Sequence, residues 1–236
     1  MISHHKPSPP KLEIAKCWHY DITFILFGLD ASEGGQYSDL AHAPCKLDAT
    51  VVAAVTNFHN ELRASVATRD LDASIFGSMP GSQTLFKLKY DCVHEGLAMA
   101  TIGNKCKHSS IYMDKVGKGE NFITYGEQEL AKKPNASKQK DLFEFAVEDW
   151  MKTVEKPLRS DVVYTDTSME PFANMIYNKT LNFGCWLMFC KEKSKVALAC
   201  VYSNRPKKGE FTGQIRKIML DVKNQDPARK LLKERM

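Results

Sequence analysis

Long apolar runs are missing from this sequence. The stretch Ile22–Leu29 (ITFILFGL) falls well short of the roughly 20 residues a membrane-spanning helix needs, so no membrane span is expected. No two cysteines form a Cys-x-x-Cys pair, which removes zinc-finger and thioredoxin spacings. No Gly-x-Ser-x-Gly elbow or comparable nucleophile context is present, and an enzyme is not expected. Charge of one sign is scarce as well. With 33 Lys and Arg against 28 Asp and Glu the formal charge is +5. The lysines fall in short groups (Lys132-Lys133, Lys138/Lys140, Lys207-Lys208) beside polar or proline-containing segments. A nucleic-acid surface needs a denser basic patch with aromatics on the same face, so no nucleic-acid partner is expected.

What is present is an odd set of seven cysteines scattered along 236 residues, and two sequons, Asn135-Ala-Ser137 and Asn178-Lys-Thr180. Together they fit an oxidising, secretory compartment, with Asn135 and Asn178 as candidate glycosylation sites. At 43% hydrophobic the chain can bury one full core, with room for tails. Residues 1–44 read differently from the rest: Met1–Pro10 is polar and proline-rich, and Ile22–Leu29 precedes a run of small residues. That pattern fits a degenerate signal segment behind a start site placed too early, or a docked strand. Residues 220–236 form a charged, cysteine-free tail, leaving 45–219 as a single domain.

The first helix is the strongest periodic signal. In Val51–Ala67, apolar residues fall at Val51, Val52, Val55, Phe58, Leu62 and Val66, and Asn57, Asn60, Glu61, Arg63 and Ser65 are assigned to the opposite, polar side. Asp48 and Thr50 are N-cap candidates. His59 and Asn60 are expected to bond to the backbone of neighbouring segments. A second helix is predicted from Leu88 to Cys106 with Leu97, Ala98, Ala100 and Ile102 inward, and Asp91 near its start, where the dipole favours a carboxylate. A third runs from Asp141 to Glu155, with Leu142, Phe145, Ala146, Trp150 and Val154 on one side. Leu158–Glu170 reads as irregular, and two apolar strands follow around a turn at Lys191–Lys195.

Several segments, taken in order, resemble one family. They are His59-Asn60-x-Leu62-Arg63-x-x-Val66-Ala67; Leu88-x-Tyr90-Asp91-Cys92; Cys106-x-His108-Ser109; Gly119-Glu120-Asn121; Pro171-Phe-Ala-Asn-Met175-Ile176-Tyr177; and Cys200-x-Tyr202 followed by Gly209-x-x-x-Gly213. From about Cys45 to Ile215 the chain resembles the CAP superfamily of cysteine-rich secretory, antigen 5 and pathogenesis-related proteins. The likeness is greatest to the nematode venom-allergen-like, or activation-associated secreted, proteins. The resemblance implies an α+β fold of α-β-α sandwich type, a small mixed or antiparallel sheet covered by helices on both faces. It also implies the disulfides Cys45–Cys92, Cys106–Cys190 and Cys185–Cys200, with Cys17 left over.

The family holds two histidines and two acids in a central cleft that can bind a divalent cation such as zinc. Here His108 and Glu120 match two positions, but Thr153 stands where an acid is usual and Pro171 where a histidine is usual. Glu155 and Glu170 lie close in sequence without matching. The set is half lost, and no cofactor is expected. Relatives also carry fatty acids or sterols, so Val52, Val55, Phe58 and Ile176 are candidate groove residues as well as candidate core. The function implied is that of a secreted, extracellular, non-catalytic protein that binds another extracellular protein or receptor, host-directed and immunomodulatory in a parasitic nematode. A fatty-acid or sterol carrier is the alternative.

Overall fold

The computed structural model describes residues 44–210, except 78, 80, 104–105, 110–115, 134, 137, 155–162, 165 and 191–193. The expectations for the 1–43 segment with Cys17, the 220–236 tail, the Gly213–Ile215 end of the last motif and Glu155 lie outside the described residues. Among the described residues, no helix is long and apolar enough to cross a membrane.

Helix α1 spans Ala49–Thr68 and the short α2 spans Ala73–Phe76. Strand β1 (Lys89–Tyr90) leads into α3 (Cys92–Thr101), then a small hairpin of β2 (Ile102–Gly103) and β3 (Lys107–His108). Next come β4 (Gly119–Gly126), α4 (Glu127–Leu130) and α5 (Gln139–Met151). A 3-10 turn at Thr167–Met169 runs into α6 (Glu170–Ile176), and β5 (Asn182–Cys190) and β6 (Lys195–Tyr202) close the fold. The four-stranded sheet has the order β1-β5-β6-β4, with β1 parallel to β5 and the other pairs antiparallel.

The alternation along β6 shows how the layers form. Val196, Leu198, Cys200 and Tyr202 face a core shared with α1, α5 and α6, whereas Ala197, Ala199 and Val201 face a smaller core under α3 and Ile102. A strand buried on both faces reads as a continuous apolar run, as β6 does. Small residues on the α3 side let that helix lie close. Gly184 shows how close: a Cβ there would sit 2.1 Å from the Glu95 backbone nitrogen.

Asp48 caps α1, its carboxylate accepting from the Thr50 backbone N–H at 2.8 Å. The stripe of α1 is wider than its apolar residues indicate. His59 and Arg63 are buried alongside Val51, Val55, Leu62 and Val66, which corrects the assignment of Arg63 to the polar side. The Arg63 guanidinium donates to the carbonyls of Phe86 (2.8 Å), Met175 (2.8 Å), Tyr177 (3.2 Å) and Thr180 (3.3 Å). It ties α1 to the end of α6 and the turn beyond. Burial lowers its pKa to about 10. Asn60 holds both backbone groups of Leu88, accepting from its N–H at 2.7 Å and donating to its carbonyl at 3.1 Å. A side-chain amide thus supplies the bonds that a further strand would make at the β1 edge.

Other helix limits differ from those expected. α3 stops at Thr101 because the chain turns into the β2–β3 hairpin, and Cys106 adopts a left-handed backbone (φ 54°). His94 and Glu95 are buried on α3, while Leu97 is half-buried and Ala100 exposed. Glu95 is held by the entering chain: its carboxylate accepts from the Lys46 N–H at 2.5 Å and from the Tyr90 hydroxyl at 2.9 Å. α5 ends at Met151 rather than Glu155, burying Phe143 and Val147 and leaving Phe145 half-buried.

Candidate functional site

The β2–β3 hairpin delivers His108 to the first residues of β4. His108 Nε2 pairs with a carboxylate oxygen of Glu120, and the imidazole stacks on Phe122 with centroids 4.7 Å apart. The Glu120 side chain is 10% exposed against 42% for His108, so the pair sits at a rim with the acid inside. The hydrogen bond to Glu120 raises the His108 pKa, working against a smaller desolvation effect. The Thr101 hydroxyl lies 3.4 Å from the other Glu120 oxygen and 3.2 Å from the Leu97 carbonyl, and its single proton serves one of them.

The other two matched positions have different partners. The Thr153 hydroxyl donates to the Trp150 carbonyl at 2.7 Å and closes the end of α5. Pro171 opens α6, where its missing N–H costs nothing, and its carbonyl accepts from Asn121 Nδ2 at 2.9 Å. Glu170 is paired with Arg205 at 2.8 Å. His108 and Glu120 are therefore brought together, whereas Thr153 and Pro171 contribute no ligand atom to them.

Behind the cleft runs a buried polar chain that hydrophobic patterning does not reveal. His59 Nδ1 donates to the Val55 carbonyl at 2.8 Å, which leaves Nε2 to accept from the Tyr202 hydroxyl at 2.9 Å. Asn121 Nδ2 donates to that hydroxyl at 3.2 Å, and Asn174 Nδ2 donates to Asn121 Oδ1 (3.0 Å) and to the Glu120 carbonyl (3.1 Å). Full burial lowers the His59 pKa to about 4 and raises that of Tyr202. Asn174 carries a signal in the sequence, as a polar residue within the apolar run 172–176, whereas Asn121 follows Glu120 and reads as an ordinary polar position. His59 also lies within 4.8 Å of the Cys185 and Cys200 sulfurs, but these are bonded to each other and offer no thiolate.

Among the described residues there are three disulfides, Cys45–Cys92, Cys106–Cys190 and Cys185–Cys200, with Cα separations of 4.7, 6.0 and 4.0 Å. These are the pairs the resemblance implies. The first pins the chain's entry to α3, the second ties the hairpin to β5, and the third crosses β5 and β6. Asn135 is exposed with φ 58°. Asn178 is half-buried, its Nδ2 3.5 Å from the Thr84 hydroxyl, and Thr180 is fully buried with its hydroxyl on the Asn204 carbonyl. Of the groove candidates, Val55 and Ile176 are fully buried members of the main core, and Val52 and Phe58 pack against it half-buried.

No curated protein sequence matches the chain. Among solved structures, Na-ASP-1 superposes with a TM-score of 0.59 at 23% identity, over 72% of this chain. The match spans only 41% of Na-ASP-1, less than half of that protein. NaASP2, solved with Zn2+, gives 0.60 at 19% identity over 72% of this chain and 90% of its own. The hookworm platelet inhibitor gives 0.52 at 21% over 74% and 81%. Residues 56–202 match the family described as CAP, the cysteine-rich secretory protein family. With that match over most of the chain, the α-β-α layers and the three disulfides, the chain belongs to the CAP family of cysteine-rich secretory proteins.

Proposed function

We propose that this chain is a secreted, non-catalytic CAP protein that acts through its surface on an extracellular protein partner. The observation that carries the reading is the state of the cleft. The His108–Glu120 pair is self-satisfied, the Thr153 hydroxyl is bonded to the Trp150 carbonyl, and Pro171 offers only a backbone carbonyl that Asn121 takes. A general base needs a substrate proton within hydrogen-bond reach and a partner to orient it. His108 is oriented by Glu120, but no nucleophilic side chain among the described residues is bonded to it. The hookworm platelet inhibitor has this fold and is, by its name, an inhibitor, which supports a host-directed role.

The test is saturable binding of the labelled, oxidised protein to blood-cell surfaces and plasma proteins, combined with native mass spectrometry of the secreted material. The expected outcome is binding competed by unlabelled protein, with no adduct on the native mass. Absence of saturable binding together with a retained fatty-acid or sterol mass overturns the reading in favour of a carrier.

A further inference from the structure

NaASP2, which shares this fold, was solved with Zn2+. The residues of this chain do not fit such an ion. Zinc takes four ligands from imidazole, thiolate and carboxylate groups, keeping one position open in catalytic sites. The described histidines are His59, His94 and His108. His59 is inside the core with both nitrogens bonded. His94 has the Lys118 ammonium 3.1 Å from Nε2 and the Asp91 carboxylate 3.1 Å from Nδ1, and a metal cannot share a nitrogen with a cation. His108 is left as the only imidazole facing Glu120, and its Nε2, a ligating atom, is spent on that carboxylate.

The acids are spent too. Glu95 receives the backbone of Lys46 and Leu47, and Glu170 is paired with Arg205. Thr153 faces the Trp150 carbonyl, and proline has no ligand atom in its ring. The first turn of α6 is also held in place. The Pro171 carbonyl is taken by Asn121, whose second amide proton goes to Tyr202, so α6 is not free to turn another group inward.

We infer that the cleft of this chain works without metal: His108 Nε2 and a Glu120 oxygen are bonded to each other, the Thr153 hydroxyl is held at the end of α5, and Pro171 has no side-chain ligand atom. The pair takes the place of the ion. It bridges the β2–β3 hairpin to β4, with Phe122 as a platform for the ring. The inference holds whichever partner the surface takes.

The experiment is Zn2+ titration of untagged, chelator-stripped protein by calorimetry, with the His108 ring followed by nitrogen-detected NMR. Wild type is expected to show no saturable site at about 100 µM Zn2+ that moves the His108 resonances. His4 and His5 in the N-terminal segment make a control necessary, and His108→Gln supplies it. Zinc uptake that survives this substitution, with His108 unmoved, lies elsewhere and leaves the inference standing. Saturable uptake that shifts the ring and disappears in His108→Gln overturns it. The double variant Thr153→Asp/Pro171→His is expected to gain a saturable zinc site that the wild type lacks and that moves the His108 resonances. A folded double variant without such a site refutes the assignment of these two positions as the missing ligands. The wild-type titration decides the inference even where that variant does not fold.

Discussion

Replacing Arg63 by Met tests the claim that a buried cation can be stabilised by carbonyl dipoles alone. The guanidinium is 1% exposed and reaches four carbonyls, two of them at 2.8 Å. Bonds to a charged donor contribute roughly 1.5–3 kcal/mol each, so the two short ones together supply about 3–6 kcal/mol. Against this stands desolvation. A pKa lowered from 12.5 to about 10 corresponds to about 3 kcal/mol lost by the charged form. The arginine is therefore close to break-even relative to water, but its removal is not. Met restores volume and relieves the desolvation, yet leaves the carbonyls of Phe86, Met175, Tyr177 and Thr180 without their donor, and each buried acceptor left unpaired costs about 1–3 kcal/mol, so the two short bonds alone set a loss of about 2–6 kcal/mol. Urea unfolding of the oxidised protein at neutral pH measures the loss as a shift in midpoint at unchanged slope. Arg63→Lys is expected to recover less than half, because one ammonium cannot span segments that a planar fork reaches together. A loss below about 1 kcal/mol for Arg63→Met, or a lysine variant as stable as wild type, refutes the reasoning.

His59 has a folded-state pKa of about 4 against an ordinary 6.5. The unfolded chain therefore binds the extra proton first, and stability present above pH 6.5 is lost as pH falls towards 4, by about 3 kcal/mol from this group. His94, also lowered by burial, adds in the same direction, while His108, raised by Glu120, opposes it by favouring the folded state below pH 6.5. Urea midpoints between pH 4 and 7 should rise with pH, and His59→Asn should flatten the slope. Gly184→Ala would drive a Cβ into the α3 backbone, which cannot give way as a side chain can, and should cost at least about 3 kcal/mol or prevent secretion. The Cys45→Ser/Cys92→Ser double variant should lose about 2–4 kcal/mol by the same urea assay and leave the other two bridges intact by mass. If the secreted protein is glycosylated, the glycan should map to Asn135. A deglycosylation shift should vanish in Asn135→Gln and persist in Asn178→Gln, because the Asn178 turn must pack Thr180 inside the fold.

Spacing and residue order carried a good part of the fold. The α1 stripe, the Asp48 cap and the two apolar strands are each set by local rules, and the disulfide pairs followed from the family's order of cysteines. What stayed hidden has a common physical cause. Periodicity sorts residues by type, so it places Arg63 outside, whereas the structure buries it because four carbonyls of distant segments converge there. The buried Asn121–Asn174 pair was equally invisible, since the two residues are 53 positions apart and meet only when α6 lies against β4. The end of α3 was overrun because nothing in its apolar spacing marks the hairpin turn that begins at Ile102. At the cleft, Thr153 and Pro171 stand out in the sequence as departures, but what they do instead depends on partners, Trp150 and Asn121, that only the folded chain brings to them.

The separation between cleft and core explains how the fold tolerates those departures. At Glu120 the main-chain carbonyl is held by Asn174, which belongs to the interior network running through Asn121 and Tyr202 to His59, while the side chain leaves that network and turns to His108. Among the described residues, the bonds that join β4 to α6, and through Tyr202 to α1, do not pass through the Glu120 or His108 side chains. Removing the Glu120 carboxylate therefore frees one rim histidine, whereas removing the Asn174 amide strips donors from both Asn121 Oδ1 and the Glu120 carbonyl in the interior. Glu120→Gln should lower stability by no more than about 1 kcal/mol, and Asn174→Ala by about 2–4 kcal/mol, since the latter leaves buried acceptors unpaired. The two urea midpoints settle the order. An equal or reversed ranking would mean that the cleft pair holds the fold together, and the cleft would then not be free to lose its ligands.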